Sequence, residues 1–218
     1  GTRIAAVGSN EEVMRWKREN TQVIDLKGKS LLPGFIDSHL HISIYGTNKL
    51  GVDCKARGIT SIAALLEALR EQAKQTPPGE WVRANCFDEN NMAEKRFPTL
   101  AELDQVSREH PVLVIRTCGH HSIANSLAMQ RAGFHRDTPD PQGGRIDRDA
   151  SGELTGLLVE TAHMLMFETA GYSEEEYRLA LRLASEDFIA KGITSVHDAG
   201  GYGSDNFRAM QKAVQSGD

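Results

Sequence analysis

The most informative stretch of this sequence is Leu31-Leu32-Pro33-Gly34-Phe35-Ile36-Asp37-Ser38-His39-Leu40-His41. Its short apolar run follows Pro33-Gly34 and predicts a buried β-strand over residues 34–37. Side chains two positions apart on a strand share a face, so His39 and His41 are predicted to project together from its end. Two imidazoles on one face suit one divalent metal ion. The spacing alone is equally compatible with an accidental pair on a polar loop.

The composition is that of a folded globular protein. Of the 218 residues, 39% are apolar and 25% are charged, and the formal net charge is −5. These values exclude a disordered tail, a collagen and a disulfide-rich mini-protein, and the length suits one large domain or two smaller ones. The mild acidity and the scattered basic residues argue against binding to nucleic acid or acidic membranes. No apolar run is long enough for a membrane span.

Three cysteines, Cys54, Cys86 and Cys118, form an odd and widely spaced set without a C-x-x-C motif. We expect three reduced and mostly buried thiols, which favours a reducing compartment and therefore the cytoplasm. The chain begins in a strand-like run without an initiator Met. Its N-terminus therefore looks cut, and a targeting segment before residue 1 would not be visible.

Hydrophobic periodicity and end signals predict an alternation of helices and strands. The clearest helices are the amphipathic stretch 60–74 and a long helix that begins at the capping box Ser173-x-x-Glu176 and ends at Gly192. Residues 1–33 alternate strand patterns with turn residues, as in a small β unit. Strands are predicted over residues 3–7, 23–26, 30–32, 81–87, 112–116 and 193–196, a hairpin over 144–158, and shorter helices over 11–18, 99–106, 125–132 and 206–214.

Residues 31–41 closely resemble the first-strand signature of the amidohydrolase superfamily. Other segments that resemble the family recur in order along nearly the whole chain. They are Arg3-Ile4-Ala5-Ala6-Val7-Gly8, Val23-Ile24-Asp25-Leu26-Lys27-Gly28-Lys29, Asp88-Glu89, Leu103-Asp104, Arg116-Thr117-Cys118-Gly119-His120, Asn125-Ser126, Thr155-Gly156-Leu157-Leu158 and Gly192-Ile193-Thr194-Ser195-Val196-His197-Asp198. The ordered set resembles the amidohydrolase-3 branch, the metal-dependent hydrolases related to N-substituted formamide deformylase.

The resemblance implies an α/β fold, namely a partial TIM-like (β/α)8 barrel with part of a β-sandwich and a large α+β insertion after barrel strand 1. Residues 1–33 would form the partial β-sandwich, 34–45 and 190–218 the start of the barrel, and 46–189 the insertion. The roughly 150 residues between the first two barrel strands are too many for one βα connection. A complete barrel takes roughly 250 residues, so the later strands and their ligands are expected beyond residue 218.

The resemblance also implies a hydrolase that acts on non-peptide C–N bonds of a small, amide-like molecule. Family members hold one or two divalent metal ions, usually zinc, that activate a water molecule. His39 and His41 match the first metal ligands of the family. No catalytic residue is assigned, and these 218 residues alone are expected to be inactive.

Four further residues are assigned to substrate binding. His120 and Glu160 match family positions near the metal, and His197 and Asp198 end the second barrel strand. Cys118 stands where the family tends to have Asp. The alternatives are a hydrogen-bonded loop histidine for His120, a carboxylate serving a helix start for Glu160 and a loop cap for Asp198. His163 would share a helical face with Glu160, as in metal-binding Glu-x-x-His pairs, but a lone pair of this kind is usually ordinary surface.

Two other functions remain compatible with the sequence. One is a truncated or inactive barrel protein with a binding or regulatory role, which the absence of the later ligands favours. The other is deamination or lactone hydrolysis on the same scaffold. An open barrel sheet would leave an unpaired edge and exposed apolar faces, so we also expect self-association, as homo-oligomers or aggregates.

Overall fold

The computed structural model describes residues 3–200 and 203–217, and the chain divides into two units, Gly1–Gly34 and Phe35–Asp218. In the first unit, helix α1 (Asn10–Met14) begins with a capping box between Ser9 and Glu12 and is shorter than the predicted helix over 11–18. The strands predicted over 3–7, 23–26 and 30–32 are wrong, because no described residue of this unit lies in a strand. Without a partner strand, these segments have no ladder hydrogen bonds to hold them extended. The assignment of residues 1–33 to a partial β-sandwich stays a prediction.

The second unit contains a small parallel sheet of two strands, β1 (Phe35–Leu40) and β8 (Ile193–Asp198). Their register pairs Phe35 with Ile193 and Leu40 with Asp198. The strand expected over residues 34–37 is therefore present, but its predicted burial is wrong, since Phe35 is 53% exposed and Ile36 is 65% exposed. The reason is that β1 has a single neighbouring strand among the described residues, which form no closed barrel.

A six-stranded mixed sheet lies between β1 and β8 in the sequence. Its strands are β2 (Val52–Asp53), β3 (Val82–Phe87), β4 (Val112–Arg116), β5 (His121–Ala124), β6 (Gly144–Arg148) and β7 (Leu154–Glu160). Their spatial order is β2-β3-β4-β5-β7-β6, with parallel pairing from β2 to β4 and antiparallel pairing from β4 through β5 and β7 to β6. The hairpin predicted over 144–158 is formed by β6 and β7, whereas β5 was not predicted.

Helices cover both faces of the six-stranded sheet. Adjacent residues of a strand point to opposite faces, so Val112 joins one hydrophobic core and Leu113 the other. The helices in this part of the chain are α3 (Ile62–Gln75), α4 (Leu100–Asp104), α5 (Ser126–Arg131) and α6 (Thr161–Thr169). The first core packs against α3 and the second against α5 and α6.

Three further helices, α2 (Ile42–Asn48), α7 (Glu174–Ala190) and α8 (Gly203–Ser216), pack together beside the small sheet. The capping box predicted for α7 is confirmed. Helices α2 and α7 approach so closely at Gly46 that a Cβ atom there would overlap the backbone of Ala180. No helix within the described ranges combines the length and apolarity needed to cross a membrane.

One buried cation connects the six-stranded sheet to the segment before α7. Arg83 on β3 donates a hydrogen bond of 2.6 Å to the carbonyl oxygen of Gly171, and its guanidinium lies 4.2 Å from the ring centroid of Tyr172. Arg83 also pairs with Glu176 on α7. The insertion predicted over 46–189 is therefore joined internally by charged as well as apolar contacts, and its domain boundaries stay a prediction.

Candidate active site

His39 and His41 lie together at the carboxyl end of β1. His39 belongs to the strand, and His41 immediately precedes α2, where its carbonyl oxygen accepts a hydrogen bond from the backbone of Tyr45. The two ring centroids are 5.8 Å apart with an interplanar angle of 72°. The strand periodicity therefore predicted the juxtaposition of the two rings.

The two rings suit a shared divalent ion by separation and chemistry. With metal–nitrogen bonds of about 2.0–2.1 Å, two imidazoles on one ion have centroids roughly 5–6 Å apart. Within residues 3–200 and 203–217, however, no group of three or more His, Cys, Asp or Glu side chains is arranged to hold a metal. The described residues therefore contain no complete set of metal ligands around the histidine pair.

Asp198 on the neighbouring strand faces His41. Its Oδ1 atom lies 3.5 Å from His41 Nδ1 and accepts a hydrogen bond of 3.0 Å from the backbone of Gly200. Its Oδ2 atom is buried and has no hydrogen-bond partner among the described residues. The adjacent His197 is exposed, and the alternation of a strand directs it to the opposite face. The structure thus brings Asp198, but not His197, to the histidine pair.

A second cluster forms where β4, β5 and β7 of the six-stranded sheet meet. His120 lies in the turn between β4 and β5, and Glu160 is the last residue of β7, which pairs with β5. His120 Nδ1 lies 2.9 Å from Glu160 Oε2, and the backbone of Glu160 donates to the carbonyl oxygen of His120 over 2.8 Å. Both side chains are exposed. The two residues, assigned separately from the sequence, are therefore direct partners.

The backbone of Glu160 adopts an unusual conformation. Its φ angle is +52°, a left-handed value that a side chain makes costly. Glu160 occupies the N-cap position of α6, but its side chain makes no capping hydrogen bond. The carboxylate faces His120, and its position at the N-cap of α6 also matches the sequence alternative of a carboxylate that serves the helix dipole.

His163 lies beneath this turn and is buried, with 2% of its surface exposed. The interpretation of this residue as ordinary surface is wrong, because α6 packs that side against the sheet together with Ala162 and Met166. Desolvation lowers the pKa of His163 to about 4, although a hydrogen bond to the backbone of Gly119 opposes this effect. A neutral His163 therefore supports the turn that carries His120. Sequence reasoning missed this role, because α6 has apolar residues on all sides and no periodicity marks its buried face.

The three cysteines differ sharply in their surroundings, and only Cys54 is buried, so the expectation of mostly buried thiols is wrong. Cys118 is exposed, and its sulfur lies 3.4 Å from His121 Nδ1 and accepts a hydrogen bond of 3.4 Å from the backbone of His120. Burial raises the pKa of Cys54 to about 12 and also raises the pKa of Cys86. Cys118 is therefore the thiol that an external reagent meets first.

Comparisons with known proteins cover nearly the whole chain. The family model Amidohydro_3, described as the amidohydrolase family, matches residues 22–218. The N-substituted formamide deformylase of Arthrobacter pascens is 37% identical over 204 residues, which are 91% of this chain and 38% of the relative. Protein LONG AFTER FAR-RED 3 of Arabidopsis thaliana is 34% identical over 201 residues, which are 92% of this chain and 34% of the relative.

A solved structure shares the fold. The crystal structure of an uncharacterized metal-dependent hydrolase from Pyrococcus horikoshii OT3 superposes with a TM-score of 0.67 at 25% identity, covering 95% of this chain and 38% of that chain. The chain spans about two fifths of the length of the first curated relatives that it matches, 38% and 41%. With the family model matched from residue 22 to residue 218, the chain belongs to the amidohydrolase family.

Proposed function

We propose that the protein is a metal-dependent hydrolase of C–N bonds other than peptide bonds, in which His39 and His41 supply two ligands of a divalent ion. The observation that carries the proposal is the pair of imidazoles 5.8 Å apart at the carboxyl end of β1. Barrel enzymes place their active sites at this end of their strands. The similarity to a metal-dependent hydrolase of known structure supports the metal, and the imidazole donors favour zinc.

A divalent ion bound here would polarise a substrate carbonyl and activate a water molecule. We assign substrate contacts to His120 and Glu160. With Nδ1 of His120 facing Glu160, Nε2 is the ring nitrogen that can meet a substrate oxygen, and the carboxylate can accept a hydrogen bond from a substrate amide. His197, exposed at the end of β8, is a third candidate for a substrate contact. The similarity to a deformylase of N-substituted formamides favours a small N-substituted amide as the substrate.

The proposed domain organisation also rests on the similarity to the amidohydrolase family. The parallel pair β1 and β8 would be the first two strands of a (β/α)8 barrel, the six-stranded sheet an insertion between them, and residues 1–33 part of a β-sandwich. The three unpaired cysteines favour a cytoplasmic location. The exposed apolar residues of β1 favour association into homo-oligomers.

A metal titration tests the proposal. The protein with the complete barrel proposed above, which would add the further ligands, is expected to bind roughly one zinc ion, and His39→Ala and His41→Ala are expected to abolish this binding. His135→Ala is the matched control, because His135 is an exposed histidine away from both clusters. Wild-type protein that binds no zinc, or His39→Ala protein that binds it as tightly as wild type, would instead support an inactive barrel protein with a binding role.

A further inference from the structure

We propose that Asp198 is a positioning residue for His41: its carboxylate faces Nδ1 of the imidazole and so directs Nε2 toward the divalent ion. This inference rests on the proposed function, because it assigns a role around the same metal. It replaces the substrate contact predicted for Asp198 from the sequence. The contact that carries it is the 3.5 Å separation between Asp198 Oδ1 and His41 Nδ1.

The backbone fixes the two residues relative to each other. Leu40 pairs with Asp198 across the two strands, and the backbone of Ala199 donates a hydrogen bond of 2.9 Å to the carbonyl oxygen of Leu40. His41 follows Leu40 directly, and its own carbonyl oxygen is used by the first turn of α2. Strand pairing and the start of a helix therefore place the carboxylate beside the imidazole without help from a ligand.

The carboxylate itself is held in place and retains accepting capacity. The backbone of Gly200 donates to its Oδ1 atom, and the side chain is only 14% exposed. Its Oδ2 atom is buried without a hydrogen-bond partner among the described residues. A buried carboxylate oxygen without a donor is costly, so such a group is expected to face a donor in the functional state.

Direct metal ligation by Asp198 fits the structure less well. His39, His41 and Asp198 do not form a three-ligand group within the described part of the chain. The carboxylate instead approaches Nδ1 of the His41 ring. Histidine ligands usually donate their second N–H group to a carboxylate or carbonyl, which fixes the tautomer and the ring orientation. The 3.5 Å separation is longer than such a hydrogen bond, and contacts of this kind often tighten only when the ligand binds.

Zinc affinity, measured by competition with a chromophoric chelator, tests the inference. Asp198→Ala is expected to weaken binding about 10- to 100-fold, the usual effect of losing such a partner. Asp198→Asn, which keeps an acceptor oxygen, is expected to lose less. Asp137→Asn removes an exposed carboxylate elsewhere and is expected to leave the affinity unchanged. Far-UV circular dichroism of each variant checks that it is folded.

Ring nitrogen chemical shifts of His41 in the metal-free chain give a second readout. At a pH well above the ordinary histidine pKa, these shifts are expected to show the proton on Nδ1 in wild type. In Asp198→Ala they are expected to move toward the values of the other tautomer. A merely structural Asp198 would not change the tautomer. Unchanged shifts in Asp198→Ala would overturn the inference, and so would an unchanged zinc affinity.

The two proposals fail in different ways. Zinc binding that is lost in His39→Ala but unaffected in Asp198→Ala leaves the proposed function intact and removes the positioning role. A wild-type protein with the complete barrel that binds no zinc removes the proposed function, and the His41 tautomer then decides whether the contact with Asp198 exists.

Discussion

The two sheets of the larger unit differ in how they are protected. The six-stranded sheet is covered by helices on both faces, and Phe87 at the end of β3 has no exposed surface. The two-stranded sheet carries the histidine pair, yet Phe35 is 53% exposed. The stability of this chain therefore resides in the six-stranded sheet, whereas the proposed metal ligands are placed by strand pairing and by the start of α2.

The largest effect is expected from truncating an aromatic side chain in each sheet. Phe87→Ala should lower the free energy of unfolding by about 3–5 kcal/mol, because it leaves a cavity in a closed core. Phe35→Ala should cost about 1 kcal/mol, since half of that ring is already in water. Urea unfolding measures both values. Equal losses would contradict the difference in protection between the two sheets.

A smaller effect is expected from pH, through the buried imidazole of His163. Its pKa lies near 4 when folded, against 6.5 for an ordinary histidine, so the unfolded chain binds the extra proton. The free energy of unfolding should therefore fall as pH decreases from 6.5 to 4, by about 3 kcal/mol at most on this account.

Urea unfolding of His163→Gln across the same pH range checks this effect. In this variant the free energy of unfolding should depend less on pH. His135→Gln should keep the pH dependence of wild type, because His135 is exposed. Identical slopes in wild type and His163→Gln would show that the imidazole is not held neutral.

The smallest effect concerns thiol reactivity at the surface and in the interior. Cys118 should react with an aromatic disulfide reagent at least about tenfold faster than Cys86, and Cys54 should react only on unfolding. The reasons are the exposure of Cys118 beside His121 and the raised pKa values of the two other thiols. Mass spectrometry of the labelled peptides assigns the sites, with Cys118→Ser as the control. Early labelling of Cys54 would indicate that the six-stranded sheet is open.

Much of the fold could be predicted from local patterns. The strand Val112–Arg116 was predicted with its observed bounds, and the capping box at Ser173 marked the start of α7. Helix α6 and strand β5 were not among the predicted elements. Helix α6 has apolar residues on all sides, so it has no periodicity to detect, and β5 is only four residues long. The strands predicted within residues 1–33 failed for the opposite reason, because a local pattern cannot supply the partner that a strand requires.

The candidate sites show the same difference between what local spacing predicts and what distant strand pairing determines. The proximity of His39 and His41 follows from two positions on one strand, which the sequence displays directly. The contact between His120 and Glu160 depends on the pairing of β5 with β7, and the contact between His41 and Asp198 on the pairing of β1 with β8. Such pairings join distant segments, and no spacing in the sequence specifies them.

The pairing of β1 with β8 also has a consequence for the order of folding. The two strands are separated by roughly 150 residues, and closing so long a loop is entropically expensive until the intervening chain has collapsed. The six-stranded sheet, whose neighbouring strands are closer in sequence, can form earlier. Asp198 is therefore expected to meet His41 late, and a newly synthesised chain would complete the proposed metal site only after most of its interior has formed.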